Sequence, residues 1–522
     1  MTLRRFVSFC ILLMPFSLWS AFAQGRGQGQ PPATAAAQNQ PAQAAKPPEP
    51  KKETPEPPPV VTHHEIHVGG KVLKYTATAG LMPLRNNDGE IEANIFFMAY
   101  TLDGQTPERR PLTFSFNGGP GSASVWLHLG AIGPKRVRMQ PDGMMPAPPY
   151  QLVDNEYTWL DQTDLVFIDP VGTGYSRAVK ADLKRKFLGV RGDIESVGEF
   201  IRLYLGRYER WSSPLFLVGE SYGTTRAAGL SGYLVEHGIA FNGIMLISSV
   251  LNFQTLEFAT GNDLPYILYL PTYAATAWYH KKLSPDLQQD FQKLRNEVEQ
   301  WASTGYTDAL AKGDRLTAEE RNAVLDRLAR YTGLSKTYLD QANLRVEQSH
   351  FCKELLRDRK LVAGRLDSRF TGSDSDLLSA ATNFDPSMSA IRPPYTAMFN
   401  QYVRTELGYK SDLEYYILGG GFGFFDWDWG SAMNGFPDTG NALRDAFQKN
   451  PFMKLFVGSG FYDLATPYYA TQYTLNHMEL NETQHQRVSL GYYPAGHMMY
   501  IQDESLGQLR KDIGAFLNNS LK

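Results

Sequence analysis

A serine with the surroundings of an enzyme nucleophile lies at position 221. An apolar run at residues 215–218 leads into Gly-Glu-Ser-Tyr-Gly at 219–223, and a helical stretch follows. In a Gly-x-Ser-x-Gly turn between a strand and a helix, the two glycines leave room for a sharp bend that presents the serine above the sheet. The motif in this context therefore predicts that Ser221 is a catalytic nucleophile.

Two polar residues near the end of the chain could activate this serine. A serine hydroxyl needs a base to accept its proton, and the base needs a carboxylate that fixes its tautomer. A strand-like run at 454–457 precedes a turn that contains Asp463, and a second run at 488–493 precedes Pro-Ala-Gly-His497. The order serine, acid, histidine is that of α/β-hydrolases. We therefore expect Ser221, Asp463 and His497 to form a catalytic triad.

A glycine-rich loop earlier in the chain could stabilise the negative charge that develops in such a reaction. Residues 116–122, Phe-Asn-Gly-Gly-Pro-Gly-Ser, directly follow an apolar run at 112–116. Backbone N–H groups in a loop of this kind bind the oxyanion of a tetrahedral intermediate, and glycines allow the backbone to approach it closely. The loop is therefore predicted to form the oxyanion hole.

The elements that must position these residues are short apolar runs bounded by Gly-rich or polar turns. Runs of this length suit strands that are buried on both faces of a mainly parallel sheet. They lie at residues 95–101, 112–116, 165–168, 215–218, 244–247 and 455–457. Helical stretches at 194–208 and 225–237 fall between some of them, and residues 60–80 alternate like a β-hairpin. This pattern predicts a doubly wound, mainly parallel α/β domain with the α/β-hydrolase fold.

The middle of the chain is dominated by helix signals. Ser-Pro-Asp at 284–286 offers an N-cap followed by proline, and Thr-Ala-Glu-Glu at 317–320 is a capping box. We expect the core to consist of two parts, residues 60–251 and 416–522, separated by a mostly helical cap insertion at 252–415. Such an insertion would overhang the strand ends where ligands bind in open α/β sheets, so it is a candidate lid.

Four motifs, in order, resemble the serine carboxypeptidase family over about residues 95 to 515. They are Asn-Gly-Gly-Pro-Gly at 117–121, Asp-Pro-Val-Gly-Thr-Gly-Tyr-Ser at 169–176, Gly-Glu-Ser-Tyr-Gly at 219–223 and Gly-His-Met at 496–498. The chain resembles an exported bacterial member of that family. The resemblance implies the α/β-hydrolase fold, the same catalytic triad and peptide substrates.

The resemblance also implies which groups surround the reacting bond. The oxyanion donors would be the backbone N–H groups of Gly119 and Tyr222. The C-terminal carboxylate of the peptide would bind to Asn117, Gly118 and Glu220. Because two adjacent carboxylates cannot both stay ionised, Glu220 must be protonated to donate a hydrogen bond, and binding is expected to favour acidic pH.

The chain departs from the family pattern at three positions. An acidic residue usually precedes the Gly-Pro that closes the oxyanion helix, but this chain has Ala131 ahead of Ile-Gly-Pro. This change weakens the expectation of a strongly acidic pH optimum. Ser122 replaces the family's cysteine, and Ser115 lies where many members have tryptophan. None of these changes removes the catalytic set.

A charged segment, Gly-Arg-Leu-Asp-Ser-Arg-Phe-Thr at 364–371, lies within the insertion. One interpretation places Arg365 or Arg369 at the mouth of the active site. The interpretation adopted here is an ion-paired loop that braces the lid, because clustered charges usually pair with one another at a surface. Both arginines are therefore left outside the predicted site.

The first residues resemble an export signal. Two arginines, an apolar stretch at 6–19 and Ala-Phe-Ala at 21–23 predict a signal peptide at 1–23, since the apolar stretch is too short to span a membrane. Residues 24–59, rich in Pro, Ala and Gln, predict a disordered tether. After cleavage Cys352 is the only cysteine, so an intramolecular disulfide is excluded. We expect export to a bacterial periplasm or the cell exterior, with no stable membrane span after signal removal.

Charge and motif content exclude several classes of partner. The net charge of −3 provides no basic surface for nucleic acid. No nucleotide-binding or phosphate-binding loop is present, and we expect no metal or organic cofactor. His63, His64 and His67 lack the carboxylate or cysteine partners of a complete metal site, so they are interpreted as polar residues on a strand face.

The predicted function is a secreted serine-type carboxypeptidase that hydrolyses C-terminal residues of peptides through an acyl-enzyme. An esterase or acyltransferase with the same triad is the main alternative, because the pocket determines function in this fold. A non-catalytic, wall-associated binding protein is a third alternative, disfavoured by the complete triad. The side-chain preference at the cleaved bond and the oligomeric state stay open.

Overall fold

The computed structural model describes residues 58–419, 426–430 and 435–522. The predicted signal at 1–23, and all but the end of the predicted tether at 24–59, lie outside these described residues. No helix in the described part has both the length and the hydropathy that a membrane crossing requires.

The strands of the described part are numbered in chain order. They are β1 (Val60–Val68), β2 (Lys71–Arg85), β3 (Ile91–Leu102), β4 (Leu112–Phe116), β5 (Lys135–Val137), β6 (Leu152–Asp154), β7 (Asp164–Ile168), β8 (Arg177–Ala178), β9 (Leu215–Ser221), β10 (Gly243–Ser249), β11 (Leu361–Ala363), β12 (Thr371–Ser373), β13 (Lys454–Gly460) and β14 (Val488–Tyr493).

The α-helices of the described part are numbered in the same way. They are α1 (Val125–Leu127), α2 (Lys184–Phe187), α3 (Val190–Arg207), α4 (Tyr222–Glu236), α5 (Leu264–Tyr279), α6 (Pro285–Gln288), α7 (Phe291–Trp301), α8 (Thr307–Lys312), α9 (Ala318–Thr332), α10 (Lys336–Gln341), α11 (Gln348–Glu354), α12 (Pro386–Thr405), α13 (Gly440–Lys449), α14 (Tyr468–Asn476), α15 (Glu482–His485) and α16 (Asp503–Ser520).

One large sheet organises the molecule. Its strands lie in the order β1-β2-β3-β7-β4-β9-β10-β13-β14, and β8 pairs with β3. The strands from β7 to β14 in this order are parallel to their neighbours. Strands β1 and β2 form the predicted hairpin, which continues antiparallel into β3. The mainly parallel sheet with helical crossovers confirms the predicted α/β-hydrolase class.

Strand β3 shows a limit of the apolar pattern at residues 95–101. The pattern suited a buried strand of a mainly parallel sheet, and β3 is buried but antiparallel to both β2 and β7. Its side chains Phe96 and Met98 pack into the core on one face of the sheet. Ile95 and Phe97 pack into the core on the other face. Because both faces are covered, this antiparallel strand is as apolar as a parallel one.

The strands that precede the predicted site residues are neighbours in the parallel part of the sheet. Strand β4 ends before the loop at 117–121, and β9 ends at Ser221. Strand β13 ends shortly before Asp463, and β14 ends shortly before His497. The carboxyl ends of parallel strands lie at the same edge of a sheet, so the four segments converge there.

Between β10 and β13 the described chain is mostly helical, with α5 to α13 and the hairpin β11–β12. This region has its own apolar core, which includes Leu294 and Phe351. Helix α9 begins with the predicted capping box, in which Thr317 Oγ1 accepts the N–H of Glu320 at 3.2 Å and the Glu320 carboxylate accepts the N–H of Thr317 at 2.9 Å. The boundaries of the insertion at 252–415 stay a prediction.

Candidate active site

Ser221 occupies a strained turn between β9 and α4. Its backbone has φ 59° and ψ −133°, a conformation that residues with side chains rarely adopt. A Cβ at Gly219 would lie 2.2 Å from the carbonyl oxygen of Gly223, and a Cβ at Gly223 would lie 2.9 Å from the carbonyl oxygen of Phe116. Both glycines of the motif are therefore sterically required, and the turn places Ser221 in the wall of a cavity.

A histidine and a carboxylate are paired at the same cavity. His497 lines the cavity, and its Nδ1 lies 2.8 Å from Oδ2 of the fully buried Asp463. Because an ionised carboxylate only accepts hydrogen bonds, Nδ1 carries the proton and Nε2 is free to accept one. Asp463 also accepts the N–H groups of Ala465 and Thr466, at 2.7 and 2.9 Å, and the Thr466 hydroxyl at 2.7 Å. These donors hold the Asp463 carboxylate in position, and the carboxylate in turn orients the imidazole ring of His497.

The charges around His497 outweigh its burial. Burial by itself lowers the pKa of the imidazole, but Asp463 and Glu220 raise it, so the pKa of His497 lies above its ordinary value. The positive charge of Arg365 partly opposes this rise. The site therefore stabilises the imidazolium that forms when a histidine takes a proton from serine.

The glycine-rich loop after β4 packs directly on the start of α4. A Cβ at Gly118 would lie 2.4 Å from the backbone nitrogen of Tyr222 and 2.6 Å from that of Gly223, so a side chain at 118 does not fit. Gly119 has a φ of +101°, which favours glycine. The two predicted oxyanion donors, the N–H groups of Gly119 and Tyr222, thus lie on segments that touch beside Ser221.

A buried arginine holds this loop against α4. Arg226 Nη1 donates to the carbonyl oxygen of Asn117 at 2.7 Å, and Arg226 Nε donates to Asp193 at 2.8 Å. The Asn117 side-chain oxygen accepts the N–H of Leu127 at 3.0 Å. Both the backbone and the side chain of Asn117 are therefore held in place before a substrate binds.

Glu220 is a buried carboxyl group beside the nucleophile. Its Oε2 accepts hydrogen bonds from Asn117 Nδ2, at 2.9 Å, and from the Tyr500 hydroxyl. Its other oxygen, Oε1, lies 3.9 Å from His497 Nε2. Burial raises the pKa of Glu220 to about 7, although His497, Tyr500 and Asn117 favour the ionised form. Below neutral pH the group is therefore largely protonated, and the cavity contains a carboxylic acid.

Tyr500 is a site residue that the sequence did not reveal. It lies three residues after His497, in a short turn before α16, and is almost fully buried. A Cβ at Gly130 would lie 2.7 Å from its ring, so Tyr500 packs closely against Gly130, the residue before Ala131. The hydroxyl of Tyr500 gives Glu220 a neutral hydrogen-bond donor.

The predicted residues meet at one cavity of about 310 Å³. Six of the eight line it: Asn117, Gly118, Gly119, Glu220, Ser221 and His497. The other two do not line it: Asp463 is buried against His497, and the Tyr222 side chain packs on Trp427. Much of the remaining lining is apolar and includes Trp126, Met388, Ile391, Leu418 and Met498. Within the described residues, no three His, Cys, Asp or Glu side chains are grouped as metal ligands.

Residues 364–370, called the cap loop below, bond to both core segments that carry the acid and the base. Four hydrogen bonds make these connections: Leu464 N to Arg365 O (3.1 Å), Ser368 N to Tyr462 O (3.0 Å), Gly496 N to Asp367 Oδ2 (3.0 Å) and His497 N to Leu366 O (2.6 Å). The predicted helical insertion thus contributes directly to the geometry around Asp463 and His497.

The two arginines of the cap loop differ in their contacts. Arg369 forms a forked ion pair with Asp367, at 2.9 and 2.6 Å, and donates to the carbonyl oxygen of Pro494 at 2.8 Å. It is an ion-paired brace, as predicted, and it braces the segment that leads to His497. Arg365, which the sequence interpretation left outside the site, lines the cavity.

Curated relatives match parts of this chain. The serine carboxypeptidase-like 15 protein of Arabidopsis thaliana is 31% identical over 34% of this chain and 46% of its own length. The pheromone-processing carboxypeptidase KEX1 of Saccharomyces cerevisiae is 35% identical over 28% of this chain and 20% of its own length. The chain therefore spans less than half of the length of these relatives.

Solved structures resemble the chain at low identity. A proline iminopeptidase of Mycobacterium smegmatis is 12% identical with a TM-score of 0.36, covering 85% of this chain and 99% of that one. A carboxyl esterase of Bacillus coagulans is 12% identical with a TM-score of 0.35, covering 84% of this chain and 99% of that one. At these TM-scores neither structure indicates what this protein does.

The match to a whole family is much broader. The family model for serine carboxypeptidases matches residues 70–505, which include the glycine-rich loop, the serine turn, the cap loop and both C-terminal site residues. The chain belongs to the serine carboxypeptidase family.

Proposed function

We propose that this protein is a serine carboxypeptidase that removes C-terminal residues from peptides through an acyl-enzyme on Ser221. The observation that carries the proposal is Glu220, a buried carboxyl group hydrogen-bonded to Asn117 in the same cavity as Ser221 and His497. A carboxyl group that can be protonated beside the nucleophile suits the recognition of a terminal carboxylate, which internal peptide bonds and simple esters do not have.

Glu220 and Asn117 suit the terminal carboxylate of a peptide. A protonated carboxylic acid donates one hydrogen bond, and it does so without adding a second negative charge to the site. Both protein donors to Glu220 engage Oε2, so Oε1 is the oxygen available to carry the proton toward a ligand. The backbone of Gly118, in the same cavity wall, would provide an N–H donor as well.

The reaction then follows from the positions of the remaining groups. The Ser221 hydroxyl adds to the scissile carbonyl carbon while His497 Nε2 takes its proton, and Asp463 stabilises the resulting imidazolium. The N–H groups of Gly119 and Tyr222 would bind the oxyanion. His497 returns the proton to the leaving amino group as the C–N bond breaks. Water then adds to the acyl-enzyme by the same base, which releases the shortened peptide and restores Ser221.

A pair of substrates tests this proposal. An N-blocked dipeptide and its C-terminal amide differ only at the group that Glu220 is proposed to bind. We expect hydrolysis of the free acid to be strongly preferred below pH 7, and Ser221→Ala to abolish it. Equal cleavage of acid and amide would contradict the carboxylate recognition. Ser221-dependent turnover of esters, with neither dipeptide cleaved, would assign the same triad to ester or acyl transfer.

We further propose that the protein is exported. The proposal rests on the sequence of residues 1–23 alone, with its basic start, apolar middle and Ala-Phe-Ala end. N-terminal sequencing of the protein secreted or released from a bacterial host should give Gln24 as the first residue. A cell-associated protein that still begins at Met1 would contradict it.

A further inference from the structure

The active-site cavity contains one permanently positive side chain among its described lining residues. That side chain is Arg365, whose neighbours in the wall are Glu220, His497 and a largely apolar surface. Arg365 is also exposed, so its guanidinium is accessible to a molecule that enters the cavity. None of the steps assigned to the proposed reaction uses this group.

Backbone hydrogen bonds within the described part hold Arg365 in place. Its N–H donates to Asp385 at 3.1 Å, and its carbonyl oxygen accepts the N–H of Leu464 at 3.1 Å. The next residue, Leu366, accepts the N–H of His497 at 2.6 Å. These hydrogen bonds connect the backbone from which the Arg365 side chain extends to the segment that carries His497.

The guanidinium of Arg365 forms no salt bridge with a residue of the described part. Asp385 contacts the backbone of this residue, not its guanidinium: the Asp385 carboxylate accepts the N–H groups of Arg365, Leu366 and Ser387. Arg369, four residues away, shows the contrasting case, because its Nε and Nη2 are both paired with Asp367. Arg369 is therefore neutralised by a carboxylate of its own loop, whereas Arg365 presents its positive charge to the cavity.

We propose that Arg365 selects peptides that carry an acidic side chain, Asp or Glu, on a residue next to the scissile bond. A guanidinium binds a carboxylate through two parallel hydrogen bonds, and the surrounding apolar wall strengthens such a pair. The terminal carboxylate of the peptide has its own donors in Glu220 and Asn117, both neutral when Glu220 is protonated. The cation is therefore available to a second carboxylate. This inference rests on the proposed carboxypeptidase function.

The test uses four N-blocked dipeptides that differ only between Glu and the isosteric Gln. Two of them place the Glu or Gln last, and two place it before the cleaved bond. We expect kcat/KM to favour Glu over Gln by about tenfold at one of the two positions, mostly through KM. The preference should fall toward one in Arg365→Met and stay partly intact in Arg365→Lys. A fifth dipeptide, with Lys at the same position, tests charge reversal: in Arg365→Glu, kcat/KM should favour Lys over Glu.

Each other outcome overturns the proposal in a recognisable way. A Glu preference that is the same in the wild-type protein and in Arg365→Met would remove Arg365 from specificity. If Arg365→Met instead weakens all four peptides equally and abolishes the preference for free acid over amide, the guanidinium binds the terminal carboxylate. If the wild-type protein cleaves none of the peptides in a Ser221-dependent manner, the carboxypeptidase proposal itself fails. Thermal unfolding of each variant confirms that the exposed substitution leaves the fold intact.

Discussion

Two buried carboxyl groups lie at this site, and they differ in their hydrogen-bond donors. Asp463, with His497, forms what we call the acid–base half, and it accepts two backbone N–H groups, a hydroxyl and the imidazole. Glu220, with Asn117, forms what we call the receptor half, and the hydrogen bonds that it accepts within the described residues come from Asn117 and Tyr500. Both carboxyls are almost fully buried, so burial does not distinguish them. The number of donors does. Burial raises the pKa of Glu220 to about 7, and the hydrogen bonds from Tyr500 and Asn117 only partly oppose that rise.

The halves also differ in what supports them. The acid–base half is tied to the cap loop through backbone hydrogen bonds and through Asp367. The receptor half is held within the core by Arg226 and by Tyr500. Changes in the acid–base half should therefore lower the rate of chemistry, while changes in the receptor half should alter substrate binding and its pH dependence.

The largest effect is expected from Asp463→Asn. The substitution keeps the shape of the side chain but lets the amide donate to His497, which selects the wrong tautomer of the ring. We expect kcat to fall by about 10⁴-fold while the preference for free acid over amide persists. Steady-state kinetics with both substrates measures the two quantities. A loss smaller than about tenfold in kcat would contradict the role given to Asp463.

An intermediate effect is expected from Asp367→Asn in the cap loop. The change removes the charge that pairs with Arg369 and weakens the acceptor for the N–H of Gly496. Small displacements of a catalytic base cost about 10²-fold in rate, so we expect kcat to fall by about 10- to 100-fold with little change in KM.

The exposed helical ion pair of Arg191 and Glu195 provides a matched control. Glu195→Gln makes the same acid-to-amide change at a solvent-exposed pair, and we expect kcat and KM to be unaltered. Equal effects of the two substitutions, or an Asp367→Asn effect confined to KM, would show that the cap loop does not position His497.

The smallest effect is expected from Tyr500→Phe in the receptor half. The Tyr500 hydrogen bond lowers the pKa of Glu220, so its loss should raise that pKa further above its ordinary value. The decline of kcat/KM for the free acid at alkaline pH should then move to higher pH, with only a few-fold change at pH 6. Tyr395→Phe, at a buried tyrosine that packs beside Gly130, is the matched control and should leave the profile unchanged. A shift to lower pH would contradict this account of Glu220.

Features that depend on local pattern and chain order could be predicted from the sequence. Gly219 and Gly223 identify the serine turn because no other residue fits there, and Asp463 and His497 follow strands at the expected places. The helical signals of the middle region also agreed with the structure, down to the capping box at Thr317.

The remaining features depend on contacts between distant parts of the chain. Tyr500 and Glu220 are 280 positions apart, and no motif marks a tyrosine as the donor to a buried acid. The place of Arg365 at the cavity depends on where the cap loop packs. In the sequence, nothing distinguishes Arg365 from Arg369. The antiparallel direction of β3 was hidden because its side chains fill two cores, as those of a parallel strand do.

If Glu220 binds the substrate carboxylate as a protonated acid, the substitution Glu220→Gln should change the pH profile in a defined way. In the wild-type protein, kcat/KM for a free-acid dipeptide should decline as pH rises through about 7, where Glu220 loses its proton. A glutamine donates a hydrogen bond at every pH, so the variant should lose this decline and equal or exceed the wild-type protein at pH 8. A neutral ester substrate should show no such decline with either protein. An alkaline decline that persists unchanged in Glu220→Gln would show that protonated Glu220 does not bind the substrate carboxylate.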